Sequence, residues 1–219
     1  MQVIIDVVIW VLLWLVGFGL FNFLRKRGMT YTAKPWLVAG YFMVFTGIAL
    51  IYFYKKLFSL NFFFSRTAVL VLLLTYLIAF LTYYFSHKYL SKPNRLIEKY
   101  KDQYFIRMDY RYLVSKSFDI FFQQTLVAVL VILLLLQGLA LLEIILIFVF
   151  IFGIIHVINI PVAGKLFGIY YFIASIIGAL LFPILILNVD GGLLYSYALH
   201  FFFYTISAVF FWVYAKKIS

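Results

Sequence analysis

Seven blocks of about twenty apolar residues constrain the fold of this chain more than any other feature. Each block is long enough to cross a hydrocarbon core of about 30 Å as a helix. A barrel strand would alternate polar and apolar residues, whereas these blocks are apolar on every side, so the spans must be helical to pair their own backbone groups in lipid. The sequence therefore predicts an all-α integral membrane protein, a polytopic bundle of about seven transmembrane helices. We place the spans at Val3–Leu24, Trp36–Tyr54, Ala68–Phe85, Asp119–Leu136, Leu139–Ile158, Leu166–Leu187 and Leu193–Tyr214.

The composition excludes most soluble functions. The 219 residues are 67% hydrophobic and 11% charged, against about 45–50% and about 25% in soluble domains. The net charge of +11 is typical of nucleic-acid binding, but the basic residues lie between the apolar blocks, where membrane topology accounts for them. We therefore expect the lipid bilayer as a partner, and no nucleic acid. Without cysteine or a metal-binding histidine spacing, we expect no metal or cofactor.

The lysines and arginines are distributed unevenly between the two sides of the predicted bundle. The first, third and fifth connections and the C-terminal tail hold 15 of the 18 basic residues. Because basic residues accumulate on the cytoplasmic side of a membrane, these segments are expected to face the cytoplasm. The asymmetry predicts a multi-pass plasma-membrane protein with its N-terminus outside and its C-terminus in the cytoplasm.

The third connection, residues 86–117, is the only long polar segment of the chain. Its apolar and aromatic residues recur at spacings of three and four, which is the pattern of an amphipathic helix lying in the headgroup region. We expect a cytoplasmic interfacial helix, with a docking site for a partner or for anionic lipid as the alternative. The residues that form this pattern are Ile97, Tyr100, Tyr104, Met108 and Tyr112.

Polar side chains inside the predicted spans are candidate functional residues, because they are costly in lipid. Asp119 and Gln123 are four residues apart and share a helix face, one turn inside the predicted start of the fourth span, next to Gln124. His156, at the end of the fifth span, is expected at the depth of Gln123, whereas His200 is expected nearer the outer half. A structural interpretation is also open, in which Asp119 stabilises a helix N-terminus and the glutamines hydrogen-bond between helices.

The order of these residues resembles the CAAX prenyl protease and bacteriocin-processing family of membrane proteases, which is also associated with abortive infection. The resemblance rests on the doublet Gln123-Gln124, on Phe152-x-x-x-His156 and on His200-x-x-x-Tyr204, and it covers about residues 110–214. It implies a protease-like core at 118–214, preceded by a divergent part at 1–85 and the amphipathic segment at 86–117, all within one membrane domain at 1–219. It also implies a hydrophobic or prenylated peptide, or another membrane protein, as a partner.

The resemblance implies a catalytic role for Gln123, Gln124, His156 and His200, but the chemistry of the doublet has changed. The family has two glutamates at these positions, the first of which activates a water, and an arginine where this chain has Ala128. An amide cannot act as a general base, so activity would need Asp119 as a substitute. The sequence thus predicts a divergent peptidase-like protein, active or relic. The alternative is a non-enzymatic scaffold, partner subunit or lipid-binding protein.

Overall fold

A computed structural model of the chain describes residues 2–58, 65–100 and 104–218. Helices account for most of these residues, and no strand occurs among them. The all-α prediction is confirmed. The helices are α1 (Gln2–Lys26), α2 (Pro35–Leu57), α3 (Arg66–Tyr89), α4 (Asn94–Lys99), α5 (Tyr110–Leu135), α6 (Leu141–Ala163), α7 (Lys165–Asn188) and α8 (Gly192–Ile218).

Seven helices of the described chain, all except α4, are long and apolar enough to cross a bilayer. This confirms the predicted number of spans and places the protein among polytopic helical membrane proteins. The tight connection predicted at Gln137-Gly138 is also confirmed: Gly138 adopts a φ of 80°, and Glu143 accepts a hydrogen bond from the backbone N–H of Ala140 at 2.7 Å to cap α6. α5 and α6 therefore run in opposite directions.

The start predicted for the fourth span is wrong. α5 begins at Tyr110, nine residues before Asp119, because Met108 leaves the helical region with a φ of 48° and Asp109 then caps the new helix. The Asp109 side chain accepts a hydrogen bond from the Arg111 backbone at 2.8 Å. Gln123 consequently lies roughly 20 Å along α5 from its start, at 1.5 Å per residue, rather than one turn inside it.

The continuous amphipathic helix predicted in residues 86–117 is also not observed. The segment forms the six-residue α4 and a 3₁₀ turn at Tyr104–Arg107, while residues 101–103 lie outside the described part of the chain. Leu96, Ile106 and Met108 are buried in one apolar cluster with Trp212 of α8, and the Trp212 indole donates to the Ile106 carbonyl oxygen at 2.5 Å. The segment therefore packs against the bundle itself.

α5 is the central helix of the bundle. Of its most apolar stretch, 72% is buried inside the protein, against 17–50% for the other six spans, although its hydropathy lies within their range. It packs most extensively on α2 and also contacts α1, α6, α7 and α8. The outer helices turn their remaining apolar faces outward, as expected where lipid takes the place of water.

α6 and α7 form a closely packed hairpin. Gly164, with a φ of 80°, is the single residue between them, and Gly168 of α7 lies so close to α6 that a Cβ there would come within 2.6 Å of the Ile160 Cα. The backbone of α1 packs on α2 and α5 and lies farther from this hairpin. The bundle is therefore less tightly closed between α1 and the α6–α7 hairpin.

Candidate functional site

A cavity of about 590 Å³ lies among α1, α5, α6, α7 and α8. Its volume is within the range of small-molecule sites, about 300–1,000 Å³. Most of the wall is aromatic or aliphatic, and includes Trp10, Trp14, Phe18, Phe152 and Phe182. The four residues predicted as a site all line it: Gln123, Gln124, His156 and His200.

Gln124 and His200 are in direct contact. The Gln124 amide nitrogen lies 2.7 Å from His200 Nδ1. His200 is eight residues from the start of α8, and Gln124 is eleven residues from the end of the antiparallel α5, so the two reach similar depths. The expectation that His200 would be separated from the doublet by depth is wrong, since the doublet lies deeper than the sequence predicted.

Gln123, the other residue of the doublet, is held in place by a buried carboxylate. Its amide nitrogen donates to Asp119 Oδ1 at 2.8 Å, which confirms that these residues share a helix face. Because a carboxylate accepts hydrogen bonds, this contact fixes the amide orientation and leaves the Gln123 carbonyl oxygen as an acceptor. Gln123 is half-buried and lines the cavity, so its carbonyl group is the part available to a ligand.

The Asp119 carboxylate is fully buried and accepts hydrogen bonds from three donors. Lys116 donates to Oδ2 at 2.5 Å, Tyr31 donates to the same oxygen at 2.7 Å, and Gln123 occupies Oδ1. Burial, with the neighbouring Asp119 carboxylate, raises the pKa of Tyr31 well above that of a free phenol, so Tyr31 stays a neutral donor. Both oxygens of the Asp119 carboxylate therefore have hydrogen-bond partners within the protein.

The sequence did not single out Lys116 or Tyr31. Lys116 is buried one turn before Asp119, and its ammonium also lies 4.7 Å from the centre of the Tyr204 ring. Tyr204 in turn packs against His200, with ring centres 5.6 Å apart. The i, i+3 spacing of Lys116 and Asp119 was the available signal. In the sequence Lys116 falls within the polar connection at 86–117, where a lysine indicates membrane topology.

The hydrogen bonds of the two histidines set their neutral tautomers. His156 Nδ1 lies 2.8 Å from the Phe152 carbonyl oxygen, which can only accept, so Nδ1 carries the proton and Nε2 is an acceptor. His200 Nδ1 faces an amide nitrogen, which can only donate, so the proton is on Nε2. The cavity wall therefore offers acceptors from Gln123 and His156 and a donor from His200.

The described lining contains no aspartate, glutamate, lysine or arginine. Across residues 2–58, 65–100 and 104–218, no three His, Asp or Glu side chains are grouped so as to hold a metal ion. Ala128, at the position of the family's arginine, is buried in the apolar core. The site is thus a largely apolar cavity with a small neutral polar group of side chains.

Comparison with known proteins found no matching family model, no matching curated protein and no matching solved structure. The fold and the site together define a polytopic helical membrane protein with a cavity inside its bundle. The resemblance to CAAX-type proteases remains a prediction from the sequence.

Proposed function

We propose that this protein binds a hydrophobic ligand taken from the bilayer into the cavity, as a divergent CAAX-protease-like protein without peptidase activity. The observation that carries the proposal is the cavity itself, which combines an apolar wall with Gln123, Gln124, His156 and His200. Ligand sites commonly have this composition, a mainly apolar lining with a few placed polar groups.

The loose packing between α1 and the α6–α7 hairpin supports access from the side. Residues that line the cavity on both sides of this opening are exposed: Leu15 of α1 is 65% exposed, Ile155 of α6 is 45% exposed and Ile177 of α7 is 51% exposed. In a membrane these side chains face lipid. A ligand dissolved in the bilayer can therefore reach the cavity without crossing a polar layer.

The absence of a suitable base supports binding rather than hydrolysis. Peptide hydrolysis by a carboxylate-activated water needs a base that contacts the water. Among the described lining residues there is no carboxylate, and Asp119 lies outside the lining with its oxygens paired. We infer that Gln123 positions a ligand group through its carbonyl oxygen.

The distribution of charge supports the proposed orientation. The connections after α1 and after α3, which hold most of the lysines and arginines, lie at the same end of the bundle. By the positive-inside rule this end is cytoplasmic, with the N-terminus outside, in the plasma membrane. The Lys116–Asp119 pair then lies on the cytoplasmic side of the cavity.

Binding of single-chain amphiphiles to the detergent-purified protein, measured by native mass spectrometry, tests this function. We expect hexadecyl amphiphiles to add saturably in a one-to-one ratio. Ala174→Trp fills the cavity, because Ala174 lines it, and should abolish the adduct. Ile173→Trp is the matched control, because Ile173 is 54% exposed and outside the lining. Equal binding by both variants would refute the proposal.

A second candidate function, processing of hydrophobic peptides, is favoured by the gathering of both glutamines and both histidines around one cavity. It predicts cleavage of a hydrophobic or prenylated peptide by the wild-type protein in liposomes, lost on His156→Ala. We expect no cleavage, because the described cavity wall has no carboxylate that could bind a water and take up its proton.

A further inference from the structure

The polar groups of the cavity point to the chemistry of the ligand's head. On the proposed function, which this inference deepens, the ligand's chain occupies the apolar part of the cavity. The head group of such a ligand has to fit among Gln123, His156 and His200. Their available atoms are two acceptors, Gln123 Oε1 and His156 Nε2, and one donor, His200 Nε2–H, as their existing hydrogen bonds determine.

These atoms favour an uncharged head. No acidic residue, lysine or arginine lines the described cavity, so a carboxylate, phosphate or quaternary ammonium would lose its hydration without gaining an opposite charge. Burying an unpaired charge in this way is far more costly than burying a neutral group that forms hydrogen bonds. Lys116 and Asp119, which contact the lining residues Tyr204 and Gln123, already satisfy each other at 2.5 Å.

Two other atoms indicate that hydrogen-bonding capacity at the wall is unmet. Gln124 Oε1 and Trp14 Nε1 belong to lining residues, are buried, and have no hydrogen-bond partner among the described residues. The neighbouring Trp10, by contrast, donates to the Leu126 carbonyl oxygen at 2.7 Å. Unpaired buried polar atoms are rare in folded proteins and call for an explanation such as a bound molecule.

We propose that the cavity binds a neutral single-chain lipid whose head is a hydrogen-bond donor, a primary amide or a hydroxyl. A primary amide matches most fully: its two N–H groups donate to Gln123 Oε1 and His156 Nε2, and its carbonyl oxygen accepts from His200 Nε2. A hydroxyl makes one bond of each kind. The chain extends past Leu15 and Ile177 through the opening between α1 and the α6–α7 hairpin.

Competition among four amphiphiles with the same hexadecyl length tests the head group. Native mass spectrometry gives the dissociation constants of hexadecanamide, hexadecanol, palmitate and hexadecyltrimethylammonium at pH 8, where palmitate is charged. We expect the two neutral compounds to bind at least about tenfold more tightly, the factor that one well-placed hydrogen bond supplies. Equal affinities would overturn the head-group inference and leave the proposed function standing. No saturable binding by any of the four would overturn both.

A variant of His156 tests the same inference independently. His156→Phe removes one acceptor and should weaken hexadecanamide about tenfold while leaving the weaker binding of palmitate unchanged. Protein stability should be little affected, because the bond that the His156 side chain makes within the described part of the chain is to the Phe152 carbonyl of its own helix. Val157→Phe is the control, since Val157 is 50% exposed and outside the lining. A parallel loss for both amphiphiles would show that His156 only shapes the cavity, and would contradict the assignment.

Discussion

At the scale of single residues, the site is organised by a buried ion pair that does not itself line the cavity. Lys116 and Asp119 are almost completely buried, and Asp119 also accepts from Tyr31 and Gln123. A buried pair of this kind gains little net stability when complete, but breaking it leaves a charge without a partner. Its contribution here is to fix the orientation of Gln123 at the cavity wall.

A double-mutant cycle tests this role. Asp119→Leu leaves the Lys116 ammonium unpaired and should destabilise the protein by about 3–5 kcal/mol. Lys116→Met should cost a similar amount. The double variant Lys116→Met, Asp119→Leu leaves no charge and should recover much of the loss, measured by denaturant unfolding in detergent. Costs that simply add would show that the two side chains do not act as a pair.

At the scale of secondary structure, the α6–α7 hairpin forms one side of the cavity, and its packing depends on glycine. A side chain at Gly168 has no room, because a Cβ would meet the Ile160 backbone of α6 at 2.6 Å. The close approach of the two helices brings His156 and the lining residues of α7 to the same cavity. Separation of the helices would enlarge and distort this wall.

Substitution of Gly168 tests the packing of the hairpin. Gly168→Ala should destabilise the protein by about 1–3 kcal/mol through overpacking and should weaken ligand binding. Gly40→Ala is the matched control: Gly40 lies in α2, and no atom lies within 4 Å of the position that an alanine methyl group would occupy. There alanine should be neutral or stabilising by about 0.5–1 kcal/mol. Equal melting temperatures for the two variants would contradict the close helix approach.

The sequence predicted some features of these helices and missed others, and each outcome has a physical reason. Hydropathy found all seven spans, because a lipid-facing helix must be apolar over its full length. It missed the true start of α5, since residues 110–118 include polar residues that lower the hydropathy, although Ser115, Lys116 and Ser117 are buried by tertiary packing. The Asp119–Gln123 contact followed from helical spacing, whereas Gln124–His200 joins residues 76 apart and required the three-dimensional arrangement of α5 and α8.

At the scale of the whole molecule, the bundle has a central helix, a cavity beside it and a strongly basic end. The basic connections predict which end faces the cytoplasm. The chain has no cysteine, so single cysteines can report on sidedness without a background. Ser91, in the long polar connection, and Gln137, in the α5–α6 turn, are both exposed and lie at opposite ends of the bundle.

Labelling of intact cells with a membrane-impermeant maleimide tests the proposed orientation. Gln137→Cys should react in intact cells, and Ser91→Cys should react only after the membrane is opened. The reverse pattern would place the basic end outside and would contradict the orientation, although the fold and the cavity would be unaffected.

The central claim is that a ligand from the bilayer occupies the cavity through the opening beside α1. The most direct measurement is photolabelling of the protein in nanodiscs with a diazirine-bearing hexadecanamide, followed by mapping of the adducts. We predict adducts concentrated on cavity residues such as Trp14, Gln123 and Ala174, and displaced by excess hexadecanamide. Adducts spread over outward-facing residues such as Leu70 and Leu73 of α3, without displacement, would show that the chain remains in the surrounding lipid and would contradict the account.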